Sequence, residues 1–131
     1  MSDNALSPAA ELLGREILSC DAETGEVFVR FMARPDFFNR NGIVHGGFIA
    51  AMLDSVTGIA AAPRVPADSW VVTTRLDTRY LKTATAGPIF GRARAVESDE
   101  RNVRIEGELT NEAGAVLATA SAEMRILKRR A

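Results

Sequence analysis

The sequence has one cysteine, Cys20, and one histidine, His45, in 131 residues. A single cysteine excludes an intrachain disulfide and any multi-cysteine metal site. A single histidine excludes every two-histidine zinc pattern. Neither sign of charge is in excess: 16 Lys and Arg face 17 Asp and Glu. No broad field therefore draws the chain to nucleic acid or to an anionic membrane. No internal repeat, low-complexity tract or Pro/Gly/Ser-rich linker divides the sequence. Residues 1–10 have no basic start and no long apolar run, so no secretory leader is expected there. The most apolar stretch, residues 46–62, is short of the ~20 residues of a membrane span and contains Asp54. These absences predict a cytoplasmic protein with no metal, no nucleic-acid partner and no membrane partner.

What remains is ordinary for a globular protein: 47% hydrophobic and 25% charged residues. One domain over residues 1–131 can bury a core without staples. Residues 8–14 read as a short helix with Ser7 as N-cap, Pro8 in its first position and Gly14 at its end. Residues 26–33 read as a strand, and residues 36–43 as an Asn- and Gly-containing loop. An apolar helix follows over about residues 44–62, ended by Pro63 and Pro66. Four strands come next, at 70–82, 88–97, 101–110 and 115–127. In the first of these, alternation places Trp70, Val72, Leu76 and Tyr80 on one face. Arg75, Asp77 and Arg79 fall on the other. Turns at 98–101 and 111–114 imply antiparallel neighbours. With only Asp54, Ser55 and Thr57 polar between Gly46 and Ala62, the helix is expected to be enclosed on most sides. An antiparallel sheet wrapped around one long central helix is the simplest α+β solution.

Three features converge on that helix. His45-Gly46-Gly47 stands at its start, where the first N–H groups lack intrahelical partners and favour an anion or developing oxyanion. The same glycines could instead serve close packing of a helix entry on a strand. Asp54 sits mid-helix among Met52, Leu53 and Val56; a carboxylate in apolar surroundings is a candidate acid, base or nucleophile. A bond to Ser55 or Thr57, or exposure to solvent, would account for it equally. Finally, nine residues separate His45 from Asp54, about half a turn out of phase and ~13.5 Å along the axis. If both act on one bond, a second copy of the helix must bring one of them, and a two-fold dimer would do so.

Asn39-x5-His45-Gly46-Gly47-x6-Asp54, on a loop and long helix followed by four strands, resembles the hotdog-fold acyl-CoA thioesterases, most closely the phenylacetate-pathway (PaaI-like) branch. The resemblance covers about residues 10–127. It implies a hotdog fold, two subunits that join their sheets, and dimers that pair into a homotetramer. It implies Asp54 as the catalytic carboxylate, either general base or nucleophile, and the Gly46 N–H as donor to the carbonyl oxygen. Asn39 would position water or thioester, and His45 would support the site by hydrogen bonding. A strand hydroxyl would complete it: counting back from Tyr80 points to Thr73, whereas alternation places the adjacent Thr74 on the Val72–Leu76 face. Gly47, Thr74 and Arg101 are candidates for binding substrate. Arg104, Lys82, Arg92 and residues 128–130 are further candidates for the CoA phosphates. Phe37, Phe38 and Trp70 could line an acyl pocket or belong to the core.

The expected activity is hydrolysis of an aromatic (phenylacetyl-type) or medium-chain acyl-CoA, with CoA entering as part of the substrate and no separate cofactor. Two other readings share the fold: a non-catalytic acyl-CoA binder, and a hydratase or dehydratase. A buried Asp54 would argue against the first. The second would want a histidine and an acid converging as an acid/base pair.

Overall fold

The computed structural model describes residues 6–130. Residues 1–5, half of the stretch considered for a leader, and residue 131 lie outside the described residues.

The chain opens with helix α1 (Pro8–Leu12), whose N-cap Ser7 accepts from the Ala10 N–H. Strands β1 (Glu16–Cys20) and β2 (Val27–Ala33) follow, then a 3-10 turn at Pro35–Phe37. The long helix α2 (Gly46–Ala61) continues into a second 3-10 turn at Ala62–Arg64. Four strands complete the fold: β3 (Ser69–Tyr80), β4 (Gly87–Ser98), β5 (Asn102–Thr110) and β6 (Val116–Lys128). All six strands form one sheet in the order β1-β2-β4-β5-β6-β3, and every pairing is antiparallel. Consecutive strands pair across the two tight turns, β4 with β5 and β5 with β6. β3 crosses over to pair with β6 and forms one edge.

Strand β1 departs from the expected plan of five strands. It lies at the other edge with all five residues exposed, and its register slips between Ile17 and Ser19. A strand without a buried face carries no alternation to read.

The helix also differs from expectation. Ile49, Met52, Leu53, Val56, Thr57, Ala60 and Ala61 are buried, a stripe at helical spacing that packs on the sheet. Gly47, Ala51 and Asp54 are exposed on the opposite side. The apolar run is therefore covered on one face only. With its 3-10 extension, Gly46–Arg64 is long and apolar enough by composition alone to cross a membrane; here its buried face completes the core. Each fully buried Leu, Ile or Met on that face contributes about 1.5–3 kcal/mol relative to exposure. The helix comes close to the sheet at Gly107: a Cβ there would stand 3.1 Å from the Arg92 carbonyl oxygen and 3.2 Å from Thr57 Cγ2. The absence of a side chain lets α2 settle against β5.

Alternation in β3 changes phase. A bulge between Thr73 and Arg75 leaves Thr74 without a partner, while Thr73 pairs with Met124 and Arg75 with Glu123. Before the bulge, Ser69, Val71 and Thr73 face the helix; after it, Leu76, Thr78 and Tyr80 do. Trp70 and Val72 thus stand on the outer face with Asp77 and Arg79, contrary to strict alternation. At 44% exposed, Trp70 is neither core nor pocket lining in the single chain.

Candidate active site

The site is assembled where α2, the loop before it and β3 meet. Loop geometry fixes the start of α2. The Asn39 side-chain oxygen accepts from the Asn41 N–H at 2.9 Å, an Asx turn closed by Gly42 at φ +78°. Val44 N–H donates to the Ala84 carbonyl and His45 N–H to the Phe37 carbonyl, both at 2.8 Å. Buried Phe37 stacks on Phe48, with ring centroids 4.2 Å apart. Phe37 thus belongs to the packing that anchors the helix entry.

His45 is the N-cap of α2, and its Nδ1 accepts from the Gly47 N–H at 3.1 Å. This bond commits the Gly47 N–H, so that amide is not free for the substrate contact expected of Gly47. The neighbouring Gly46 N–H has no acceptor among the described residues. It stands at the positive end of the helix dipole. Tyr80, the only tyrosine, lies against this turn. Its hydroxyl donates to the Gly46 carbonyl at 3.1 Å, and its ring is 3.4 Å from where a Gly46 Cβ would be.

Asp54 lies two turns further along, on the uncovered side of α2. The expectation of a buried carboxylate is corrected: Met52, Leu53 and Val56 are its neighbours in sequence, but they point to the sheet and Asp54 does not. Its Oδ1 accepts from the Thr73 hydroxyl at 2.8 Å, which leaves Oδ2 available. The bulge decides between the two threonines. Thr73 is turned to Asp54, whereas the Thr74 hydroxyl donates to the Glu123 carbonyl on β6 at 3.1 Å. Thr74 is therefore not beside the carboxylate.

Arg101 lies at the β4–β5 turn and makes no hydrogen bond to Asp54. Its N–H donates to Asp99, and its carbonyl accepts from Ile126, which pairs with Val71 two residues before Thr73. The Arg101 and Asn102 N–H groups hold the Asp99 carboxyl below its ordinary pKa. Of the other cations considered, Arg104 is paired with Glu97 and Glu106, and Arg92 with Glu26.

One chain therefore holds two half-sites: an unpaired Gly46 N–H at the helix start, and an Asp54–Thr73 pair ~12 Å along the axis. Sequence reasoning missed two residues nearby. Tyr80 was placed on a face but given no role. Arg15 donates from a terminal guanidinium nitrogen to Ser55 Oγ at 3.1 Å, and nothing in its local sequence signals that contact.

The thioesterase superfamily model matches residues 41–118. A phenylacetic acid degradation-related protein of Ralstonia eutropha JMP134 is 34% identical, with 92% of each chain covered and a TM-score of 0.86. The TT0310 protein of Thermus thermophilus is 28% identical over 94% of this chain and 100% of that one, with a TM-score of 0.81. The Escherichia coli PaaI protein of the phenylacetic acid degradation operon shares the fold at 18% identity, a TM-score of 0.84, and coverage of 94% and 86%. No curated protein matches.

Proposed function

Since the chain belongs to the thioesterase superfamily and has the hotdog fold of its PaaI-like members, we propose that it hydrolyses an acyl-CoA to a free acid and CoA. The observation that carries this reading is the Thr73 hydroxyl on Asp54 Oδ1, which orients a carboxylate with its second oxygen open on the uncovered helix face.

Asp54 takes a proton from water, whose oxygen attacks the thioester carbonyl carbon, or attacks that carbon itself. The carbonyl oxygen becomes an oxyanion at a Gly46 N–H. Collapse of the intermediate breaks the C–S bond. In the first route the departing CoA sulfur takes up the proton held by Asp54; in the second it leaves a mixed anhydride on Asp54, which water cleaves to the free acid and the regenerated carboxylate, giving its proton to the thiolate. Asn39 places the attacking water or thioester with the amide group its loop does not use. The reaction needs no cofactor beyond the CoA of the substrate.

The two half-sites are too far apart within a chain, so the reading includes a homodimer. β3 is a twelve-residue sheet edge bearing exposed Trp70, Val72 and Tyr80, and such edges are normally paired or blunted. Antiparallel pairing of β3 with its copy, with the two-fold near Leu76 and Asp77, sets Thr73 of one chain opposite the partner's Tyr80. Asp54 then faces the partner's Gly46. The same reading pairs two dimers into a tetramer. Likeness to a phenylacetic acid degradation-related protein favours an aromatic acyl group.

The exposure of Asp54 removes burial as an argument against a non-catalytic binder; the Thr73 contact is what favours hydrolysis. The thioesterase superfamily match favours hydrolysis over a hydratase on the same fold. Thiol release measured over phenylacetyl-, hydroxyphenylacetyl- and hexanoyl-CoA, with light scattering at micromolar protein, tests the proposal. Turnover by a species of at least dimer mass is expected. No thiol from any of the three sinks hydrolysis, and an active 14 kDa monomer sinks the shared site.

A further inference from the structure

The uncovered face of α2 has a second flank. At about 100° per residue, Gly47, Ala51 and Gly58 fall within about 40° of one another, a strip nearly without side chains. Asp54 lies about 40° to one side of that strip and Ser55 about 60° to the other. The Asp54 flank is closed by Thr73 from β3, and the Ser55 flank by Arg15 from the segment between α1 and β1.

Arg15 is held in an unusual way for a cation. Its Nε is fully enclosed and has no hydrogen-bond partner. No carboxylate lies within ion-pair distance of it among the described residues, which is also true of surface arginines such as Arg40 and Arg79, but among the described residues only Arg15 has an enclosed side-chain nitrogen without a partner. Its single side-chain bond, to Ser55, is to a neutral oxygen. Burial without a counter-ion pulls its pKa below the ordinary value. A partly desolvated guanidinium that no acid neutralises is costly for the free protein. It is well suited to a ligand that supplies the missing negative charge, because its terminal nitrogens present a planar, paired-donor edge.

We propose that Arg15 is a substrate-recognition residue that binds an anionic oxygen group of the thioester, across the small-residue strip from Asp54. The proposal rests on the thioesterase reading for the identity of the substrate, but not for the existence of the anion site. Two parts of such a substrate can supply the anion: a phosphate of CoA, or a carboxylate at the far end of the acyl chain. Arg15 makes no hydrogen bond to Asp54 or Gly46, so its contribution falls on binding.

Equilibrium binding by calorimetry, with thioether analogues that cannot be hydrolysed, separates the sources. The three probes are hexyl-CoA, hexyl-pantetheine without phosphates, and carboxypentyl-pantetheine with an acyl-side carboxylate. Arg15→Gln keeps a donor for Ser55 and removes the charge; Arg15→Lys keeps the charge. Arg15→Gln is expected to weaken one anion-bearing probe by about tenfold or more and to leave hexyl-pantetheine within about twofold. Arg15→Lys is expected to restore part of the loss. A loss confined to hexyl-CoA assigns the phosphate, and one confined to carboxypentyl-pantetheine assigns the acyl carboxylate. Equal weakening of all three probes, no weakening of any, or no binding by the wild type overturns the proposal. Hydrolysis of phenylacetyl-, hydroxyphenylacetyl- and hexanoyl-CoA is measured in parallel. If all three fail while Arg15-dependent binding persists, the anion site stands and the thioesterase reading falls.

Discussion

The two faces of α2 divide the work of the molecule. On one face, Ile49, Met52, Leu53, Val56 and Ala60 are buried against the sheet. On the other, Gly47, Ala51 and Gly58 make a bare strip beside Asp54. Large side chains on the first face stabilise the fold. On the second, mid-helix Gly58 gives up helix propensity, about 1 kcal/mol relative to alanine. Among the described residues nothing packs against Gly58: an added Cβ would meet no atom within 4 Å beyond its own turn of helix. A residue that costs stability and relieves no internal crowding leaves room for something outside the chain.

Asp54→Asn sharpens the comparison most. Removing a positioned base lowers rate by roughly 10²–10⁴-fold, while melting temperature is expected to hold, because the carboxylate is exposed and its shape is kept. A stopped assay of CoA release with a calorimetric melt checks both. His45→Ala is expected to lower rate less than Asp54→Asn, because its ring caps the helix rather than meeting the scissile bond; the reverse order in two folded variants would reverse the roles. Leu53→Ala probes the opposite face: a loss of about 2–5 kcal/mol in denaturant unfolding is expected, with near-normal turnover per folded molecule at low temperature. Should Leu53→Ala abolish turnover in fully folded protein, the division between faces fails. The smallest expected change is Gly58→Ala, which should raise stability by up to about 1 kcal/mol. If the strip receives substrate or a partner helix, KM or dimer affinity weakens at the same time; a gain in stability with unchanged KM and assembly would show that the strip is merely solvated.

Much of the frame was legible because its signals are local. Ser7-Pro8 announces α1, the 98–101 and 111–114 turns announce the last two hairpins, and alternation marks β5 and β6. Other parts depend on contacts that sequence does not carry. β1 has no buried residue and so no period. Asp54 stands among Met52, Leu53 and Val56 along the chain, but a helix sends neighbours in sequence to different faces, and only the position of the sheet shows which face stays open. In β3 a one-residue bulge separates Trp70 and Val72 from Leu76 and Tyr80, although uninterrupted alternation would join them. For the same reason, counting back from Tyr80 and reading alternation named different threonines. Arg15 was invisible altogether, since its contact with Ser55 spans forty residues.

The seat of Thr57 on Gly107 makes the long helix a lever. The Thr57 methyl lies over Gly107 at that pivot, and the single Thr57 hydroxyl hydrogen is shared between the carbonyls of Leu53 and Asp54. Asp54 is ~4.5 Å from that pivot along the axis, and Gly46 is ~16.5 Å away. Any tilt of the helix about that contact would displace its first turn more than three times as far as the carboxylate. The Tyr80 hydroxyl, the Phe37–Phe48 stack and the two backbone bonds to Val44 and His45 all lie at the long arm, where restraint against such a swing is most effective.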